Sequence, residues 1–223
     1  LHSFPTRRSS DLHIERGGTA RHDAVVWGYA RAASNLGVDI IHNTEVIGFI
    51  REAGRITGVE TTRGEIRAAR VGMAVAGSTS KVAHLAGLRL PIESHVLQAF
   101  VTEAVKPLIP GVVTFGAGHL YISQSDKGGL VFGGDLDGYN SYAQRGNLPA
   151  VEDVCEQAMA LMPAIGRVRM LRSWGGIMDM SMDGSPIIDY SPIKGLYLNG
   201  GWCYGAIWRS EERRVGKECR SRW

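Results

Sequence analysis

The chain has 223 residues, 44% hydrophobic and 21% charged, with a formal net charge of +3. That is a globular composition, which excludes a disordered tail, a collagen-like repeat and a small disulfide scaffold. No apolar run reaches the roughly 18 residues of a membrane-spanning helix, and the length allows one large domain or two small ones around a real core.

Both ends read as foreign to the rest. Residues 2–12 (HSFPTRRSSDL) and 209–223 (RSEERRVGKECRSRW) are polar, aperiodic and crowded with arginine and serine. A DNA that encodes RSEERRVGKEC encodes HSFPTRRSSDL on its complementary strand. A sequencing-library adapter translated at both ends of a short DNA fragment accounts for such a pair. Residues 1–12 and 209–223 are therefore expected to be adapter-derived and to pack against nothing. The interior then holds 17 basic and 18 acidic residues, a net charge of −1. The hint of a nucleic-acid partner vanishes with the ends, and no membrane partner is expected. Of the three cysteines, Cys155 and Cys203 remain inside. That is ordinary cytoplasmic usage, with neither a disulfide framework nor a paired zinc spacing.

Residues 23–36 (DAVVWGYARAASNL) predict a helix with Asp23 as N-cap. Val26, Tyr29 or Ala30, Ala33 and Leu36 form its apolar stripe, and Gly37 ends it. VDIIHNTEVIGFI (38–50) predicts two short strands. RITGVETT and GEIRAARVGMAVAG predict more, and the apolar run 71–76 suits a parallel strand buried on both faces. A short helix, TSKVAHLA, stops at Gly87. Past Pro91, residues 92–104, 112–124 and 129–135 predict longer antiparallel strands. Residues 150–162 predict a helix, 167–176 a strand ending in glycines, and 195–205 a strand entering a glycine-rich turn. The fold class is thus α/β: an incomplete Rossmann-like, nucleotide-type domain interrupted by an antiparallel-sheet domain, which the resemblance given below makes an FAD-binding domain and a substrate domain. The expected boundaries are 13–90 and 177–208 for the first domain and 91–176 for the second.

Two apolar strands end in glycine, at Ala76-Gly77 and Asn199-Gly200-Gly201. Bare backbone there lets a flat or phosphorylated ligand approach, although a simple turn leaves the same trace. Ser78-Thr79-Ser80-Lys81 matches S-x-x-K, but its acylase companions are missing, and a helix cap at Ser78 or Thr79 explains it better. His22 sits just before a helix, where a lone histidine is ordinarily a surface residue. The other interior histidines lack metal-ligand spacing, so no metal site is expected.

Trp174-Gly175-Gly176 followed by Asp183-Gly184-Ser185-Pro186-Ile187-Ile188 is more specific. A strand ends in two glycines, and D-G-x-P-I-I turns back into a strand. This pattern resembles the C-terminal half of the flavin-dependent amine and D-amino-acid oxidase superfamily. GGTARHDAVVWGYARAASNLGVDIIHNTEV, GVETTRG, YISQSDKGGLVFGGDLDGYN, YAQRG and LRSWGGIMDMSMDGSPII narrow the resemblance to the beta subunits of heterotetrameric sarcosine oxidases, over essentially all of 13–206.

The resemblance implies FAD bound noncovalently and FMN linked covalently to a histidine, here His22, at an interface with an alpha subunit. It places the FAD adenosine against the Val46 backbone and the flavin near Gly77, Gly200 and Gly201. It implies oxidation of the N-methyl group of sarcosine, a small N-methyl amino acid, with electrons passing from FAD to FMN and on to oxygen. Alpha, gamma and delta subunits are the implied partners. Tyr121 and Tyr139 are the candidate pocket residues. The family's lysine after the second glycine turn has no counterpart, because Ala206-Ile207-Trp208 follow Gly205. Val131 stands near the lysine position of monomeric relatives. The alternatives are a related FAD-dependent amino-acid or dimethylglycine dehydrogenase, and a non-catalytic binding module without a cleft between Gly77 and Gly201.

Overall fold

The computed structural model describes residues 19–115 and 120–203. The expectations for 1–12, for 209–223 and for the junction at 205–208 lie outside the described residues. Helix α1 (His22–Asn35) forms where the periodicity predicts it. Its N-cap is Arg21, not Asp23; Asp23 lies inside the first turn and pairs with Arg21 at 2.7 Å. The apolar stripe buries nothing, with Trp27 66% and Tyr29 74% exposed.

Residues 38–50 form one strand rather than two. β1 (Val46–Glu52) is present, but residues 38–45 are irregular, and Val38, Ile40 and Ile41 are exposed. β-branched residues make a strand only where a neighbour takes up their backbone hydrogen bonds, and no described strand does so here. β1 pairs antiparallel with β2 (Arg55–Thr61), and β2 with β3 (Gly64–Arg67). β4 covers only Val71–Met73, half of the apolar run 71–76. A 3-10 turn over Ala76–Ser78 then leads into α2 (Thr79–Leu85).

The chain next leaves for a five-stranded antiparallel sheet. Its strands are β5 (Ile92–Ala104), β6 (Val112–Phe115), β7 (Leu120–Gln124), β8 (Gly129–Leu136) and β9 (Met170–Ser181), in the order β6-β7-β8-β5-β9. β9 continues past Gly176 and pairs with β5 as far as Ser181↔Ile92, so the expected boundary at 176/177 falls inside a strand. Between β8 and β9 lies α3 (Leu148–Leu161). It opens on Asn147, whose Oδ1 accepts from the Ala150 N–H at 2.9 Å, with Pro149 in the first turn. α3 lays Val154 and Ala158 on one face of the sheet, against Phe100, Leu120, Ile122, Leu130 and Phe132. Phe100 and Phe132 stack with their ring centroids 5.3 Å apart.

β10 (Ile187–Tyr190) and β11 (Leu196–Gly200) bring the chain home. β11 pairs antiparallel with β10 and parallel with β4, through Leu196↔Val71 and Leu198↔Met73. The returning sheet is therefore mixed, with one parallel pair. Ile56, Met73, Ala83, Ala86, Leu196 and Leu198 form its core.

The two helical faces give opposite expectations for stability. Phe100→Ala empties the fully buried core under α3 and should lower the unfolding free energy by about 3–5 kcal/mol. Trp27→Ala on exposed α1 should change it by less than about 0.5 kcal/mol. Urea denaturation of both variants measures the contrast.

Candidate functional site

β4 and β11 end side by side, and each runs straight into a turn. Ala76 (φ +44°), Gly201 (φ +74°) and Cys203 (φ +53°) adopt left-handed backbone there. For Ala76 and Cys203 such conformations cost about 1–3 kcal/mol each and persist only where the surroundings enforce them. Strain of this kind, at the carboxyl edge of neighbouring parallel strands, marks the crevice where open α/β sheets receive ligands. Gly77, Gly200 and Gly201 all sit at this one edge and are all buried.

The glycines have a nearer reason than ligand approach. A Cβ on Gly77 would lie 2.5 Å from the Ile177 carbonyl oxygen of β9. One on Gly200 would lie 2.8 Å from the Thr79 side chain at the start of α2, and one on Gly201 3.2 Å from Ser181 Cβ. The bare backbone is thus required by β9 and α2 themselves. Polar contacts hold the same joint. Ser94 Oγ donates to the Gly77 carbonyl at 2.8 Å. The Gly201 N–H donates to Asp179 Oδ2 at 2.5 Å, and the Cys203 N–H to the Asp179 carbonyl at 2.9 Å. Asp179 is 4% exposed. Sequence reasoning passed it over, although its signal was present: one acid inside the apolar strand Ile177-Met178-Asp179-Met180.

The remaining candidates lie at varied distances from this edge. Val46 opens β1 opposite Thr61; its neighbour Glu45 lies 3.6 Å from Lys81 of α2, an exposed ion pair that adds little. The same ion pair occupies the lysine of the S-x-x-K match. Ser78 makes no capping hydrogen bond, and the Thr79 hydroxyl donates to the Ala76 carbonyl at 2.5 Å. His22 is exposed at the first position of α1, beside the Arg21–Asp23 pair. The hydrogen bond from Arg21 holds the Asp23 carboxyl below its ordinary pKa.

Tyr121 and Tyr139 do not share a pocket. Cross-strand pairing aligns Thr114, Tyr121, Gly133, Ala99 and Trp174 in one row. Alternation puts that row on the sheet face opposite Ile122 and Phe100, away from α3. Tyr121 is half-buried there, and burial pushes its phenol pKa up, so it stays a neutral O–H donor at neutral pH. Tyr139 is 58% exposed. It lines an open cavity of about 380 Å³ at the start of α3, with Asp137, Asn147 and Asp153. Among the described residues no group of His, Cys, Asp and Glu could hold a metal ion.

The joint makes a direct prediction. Gly77→Ala should lower the thermal midpoint, and adding Ile177→Ala should not restore it, because it removes Cγ2 at 2.6 Å but leaves the carbonyl oxygen at 2.5 Å and Cβ at 2.7 Å. Recovery in the double variant, measured by calorimetry, would show that the Ile177 side chain sets the limit instead.

The comparisons with known proteins agree with this architecture. A family model described as FAD dependent oxidoreductase (DAO) matches residues 3–207. That span opens inside the segment read as adapter-derived, whereas the alignments to relatives, 192 and 193 residues long, have about the size of the 13–208 interior. The chain is 72% identical to sarcosine oxidase subunit beta of Rhizobium meliloti (strain 1021), covering 86% of this chain and 46% of that protein. It is 52% identical to the subunit of the same name from Rhodobacter capsulatus, covering 86% and 47%. It thus spans about half the length of the curated relatives it matches. L-proline dehydrogenase from P. horikoshii superposes with a TM-score of 0.74 at 27% identity, covering 80% of this chain and 49% of that one. Glycine oxidase from Geobacillus kaustophilus shares the fold, with a TM-score of 0.71 at 23% identity, covering 80% and 48%. With its strands ending at a glycine-lined edge and a family match over most of its length, the chain belongs to the DAO family of FAD dependent oxidoreductases and is similar within it to sarcosine oxidase beta subunits.

Proposed function

We propose that the chain is part of a beta subunit that oxidises the N-methyl group of sarcosine. The overall reaction converts sarcosine, water and oxygen to glycine, formaldehyde and hydrogen peroxide. The observation that carries this reading is the parallel pairing of β4 with β11, which joins Gly77 to Gly200 and Gly201 at one edge. It does so in a chain 72% identical to a sarcosine oxidase beta subunit.

FAD, when bound, supplies the acceptor for the two electrons and the hydrogen that leave the N-methyl carbon. The residues present suit it, because the left-handed turns at Ala76 and Gly201–Cys203 bend the backbone around the carboxyl edge of the parallel pair. Gly77, Gly200 and Gly201 hold the flavin side in this reading, and the Val46 backbone the adenosine side. Tyr121 offers a neutral hydroxyl on the open sheet face, above a floor of Gly133 and Ala99. Residues 13–90 and the return after 177 form the cofactor part and 91–176 the substrate part, with β9 crossing between them. His22, exposed on α1, is the proposed attachment point for FMN, facing an alpha subunit, with gamma and delta subunits completing the enzyme.

The test uses the complete subunit coexpressed with its partners. Sarcosine-dependent peroxide release, FAD extractable by acid and a second flavin retained on the precipitated protein are the expected results. His22→Asn should abolish the retained fluorescence and leave FAD extractable. Retained flavin in that variant would move the linkage to another residue, and a single extractable flavin in the unaltered enzyme would favour a dehydrogenase of the dimethylglycine type.

A further inference from the structure

We propose that Asp179 is a positioning residue of the flavin edge, whose carboxylate fixes the Gly201 turn against the start of α2 and so sets where the substrate sheet stands over that edge. The inference rests on the FAD reading above and adds a residue to it.

Alternation along β9 sends Ile177, Asp179 and Ser181 to one face, and each meets the flavin edge differently. Ile177 lies against Gly77 of the first turn. Ser181 Oγ is 3.6 Å from Cys203 Sγ in the second. Asp179 reaches both. Its Oδ2 accepts the Gly201 N–H at 2.5 Å and stands 3.4 Å from the Thr79 hydroxyl, whose proton goes chiefly to the Ala76 carbonyl, while its own carbonyl accepts the Cys203 N–H. An isolated bridge between Met180 and Trp202 lays the second turn along the end of β9.

Packing alone does not call for a carboxylate here. Burying one is costly, and an apolar residue of similar volume would fill the space without that cost. Asp179 forms no ion pair among the described residues. Its return comes from donors on the two turns, through hydrogen bonds strengthened by its charge. Those bonds land on a turn whose left-handed residues, Gly201 and Cys203, hold their shape only when several contacts agree. The carboxylate therefore acts on the geometry of the edge, through the backbone of the turn.

The experiment uses the complete subunit coexpressed with its partners. FAD affinity is read by flavin fluorescence on titrating the apoprotein, and the visible flavin spectrum is taken at saturation. The thermal midpoint of the apoprotein serves as control. Asp179→Ala should weaken FAD binding about tenfold or more, the loss expected for a hydrogen bond to a charged group. It should also shift the flavin bands at saturation. Asp179→Asn keeps an oxygen for the Gly201 N–H but not the charge, and should lose clearly less affinity than the alanine variant. If the alanine variant does not fold, Asp179→Ser carries the same expectation, because its hydroxyl stays polar but is too short to reach Gly201. A lower apoprotein midpoint with unchanged affinity and unchanged flavin bands would overturn the proposal, leaving Asp179 a role in the fold alone. Equal losses in the asparagine and alanine variants would overturn it too. A wild-type subunit that binds no FAD would defeat the flavin reading itself, before any variant is made.

Discussion

The fold depends on β9 lying under two turns at once. Its outer half is an edge strand of the five-stranded sheet, paired with β5 throughout. Its inner half meets the ends of β4 and β11, where the Ile177 carbonyl faces Gly77 and Asp179 takes the Gly201 amide. Two sheets with separate cores meet where the end of β9, a strand of one, packs on the turns of the other. Atoms packed to crystal density do not slide past one another, so the relative placement of the sheets is fixed by side chains no larger than an isoleucine and an aspartate.

This joint changes the meaning of the glycines. A strand that ends in glycine is usually credited to the ligand that lies on it. Here the protein occupies the missing Cβ positions first, with Thr79 beside Gly200 and Ile177 beside Gly77. The shape of this edge then follows from how closely the turns pack on their own neighbours. The strain at Ala76 and Cys203 belongs to the same economy, held by hydrogen bonds to β9 and to the first turn of α2.

Much of the architecture was legible in the sequence because it rests on local pattern. Alternation in 92–104, the helical run within 150–162 and the strand that ends at Gly200 all rest on spacing that neighbours in sequence determine. What could not be read depends on distant neighbours. Residues 38–45 have β-branched composition but no described strand beside them. Tyr121 and Tyr139 lie 18 positions apart on one excursion, yet Tyr121 stands over Gly133 within the sheet while Tyr139 lines a cavity in the loop before α3. Asp179 gains its role from Gly201 and Thr79, the latter 100 positions away. The flavin assignment itself came from resemblance, since the strand that would carry a phosphate fingerprint is not within the described residues.

The pairing of β4 with β11 joins segments more than 120 residues apart, with the whole five-stranded sheet in between. Contacts so distant in sequence form late, because the loop must close before any reward arrives. During synthesis, β4 leaves the ribosome long before its partner exists, while the sheet from β5 to β9 can assemble from nearby strands. Among the described residues the glycine-lined edge is then the last to take shape, completed as the returning strand docks. Until that moment Val71 and Met73 have an open flank, so the span of translation between them and Leu196 is the interval in which the nascent chain most needs protection from other chains.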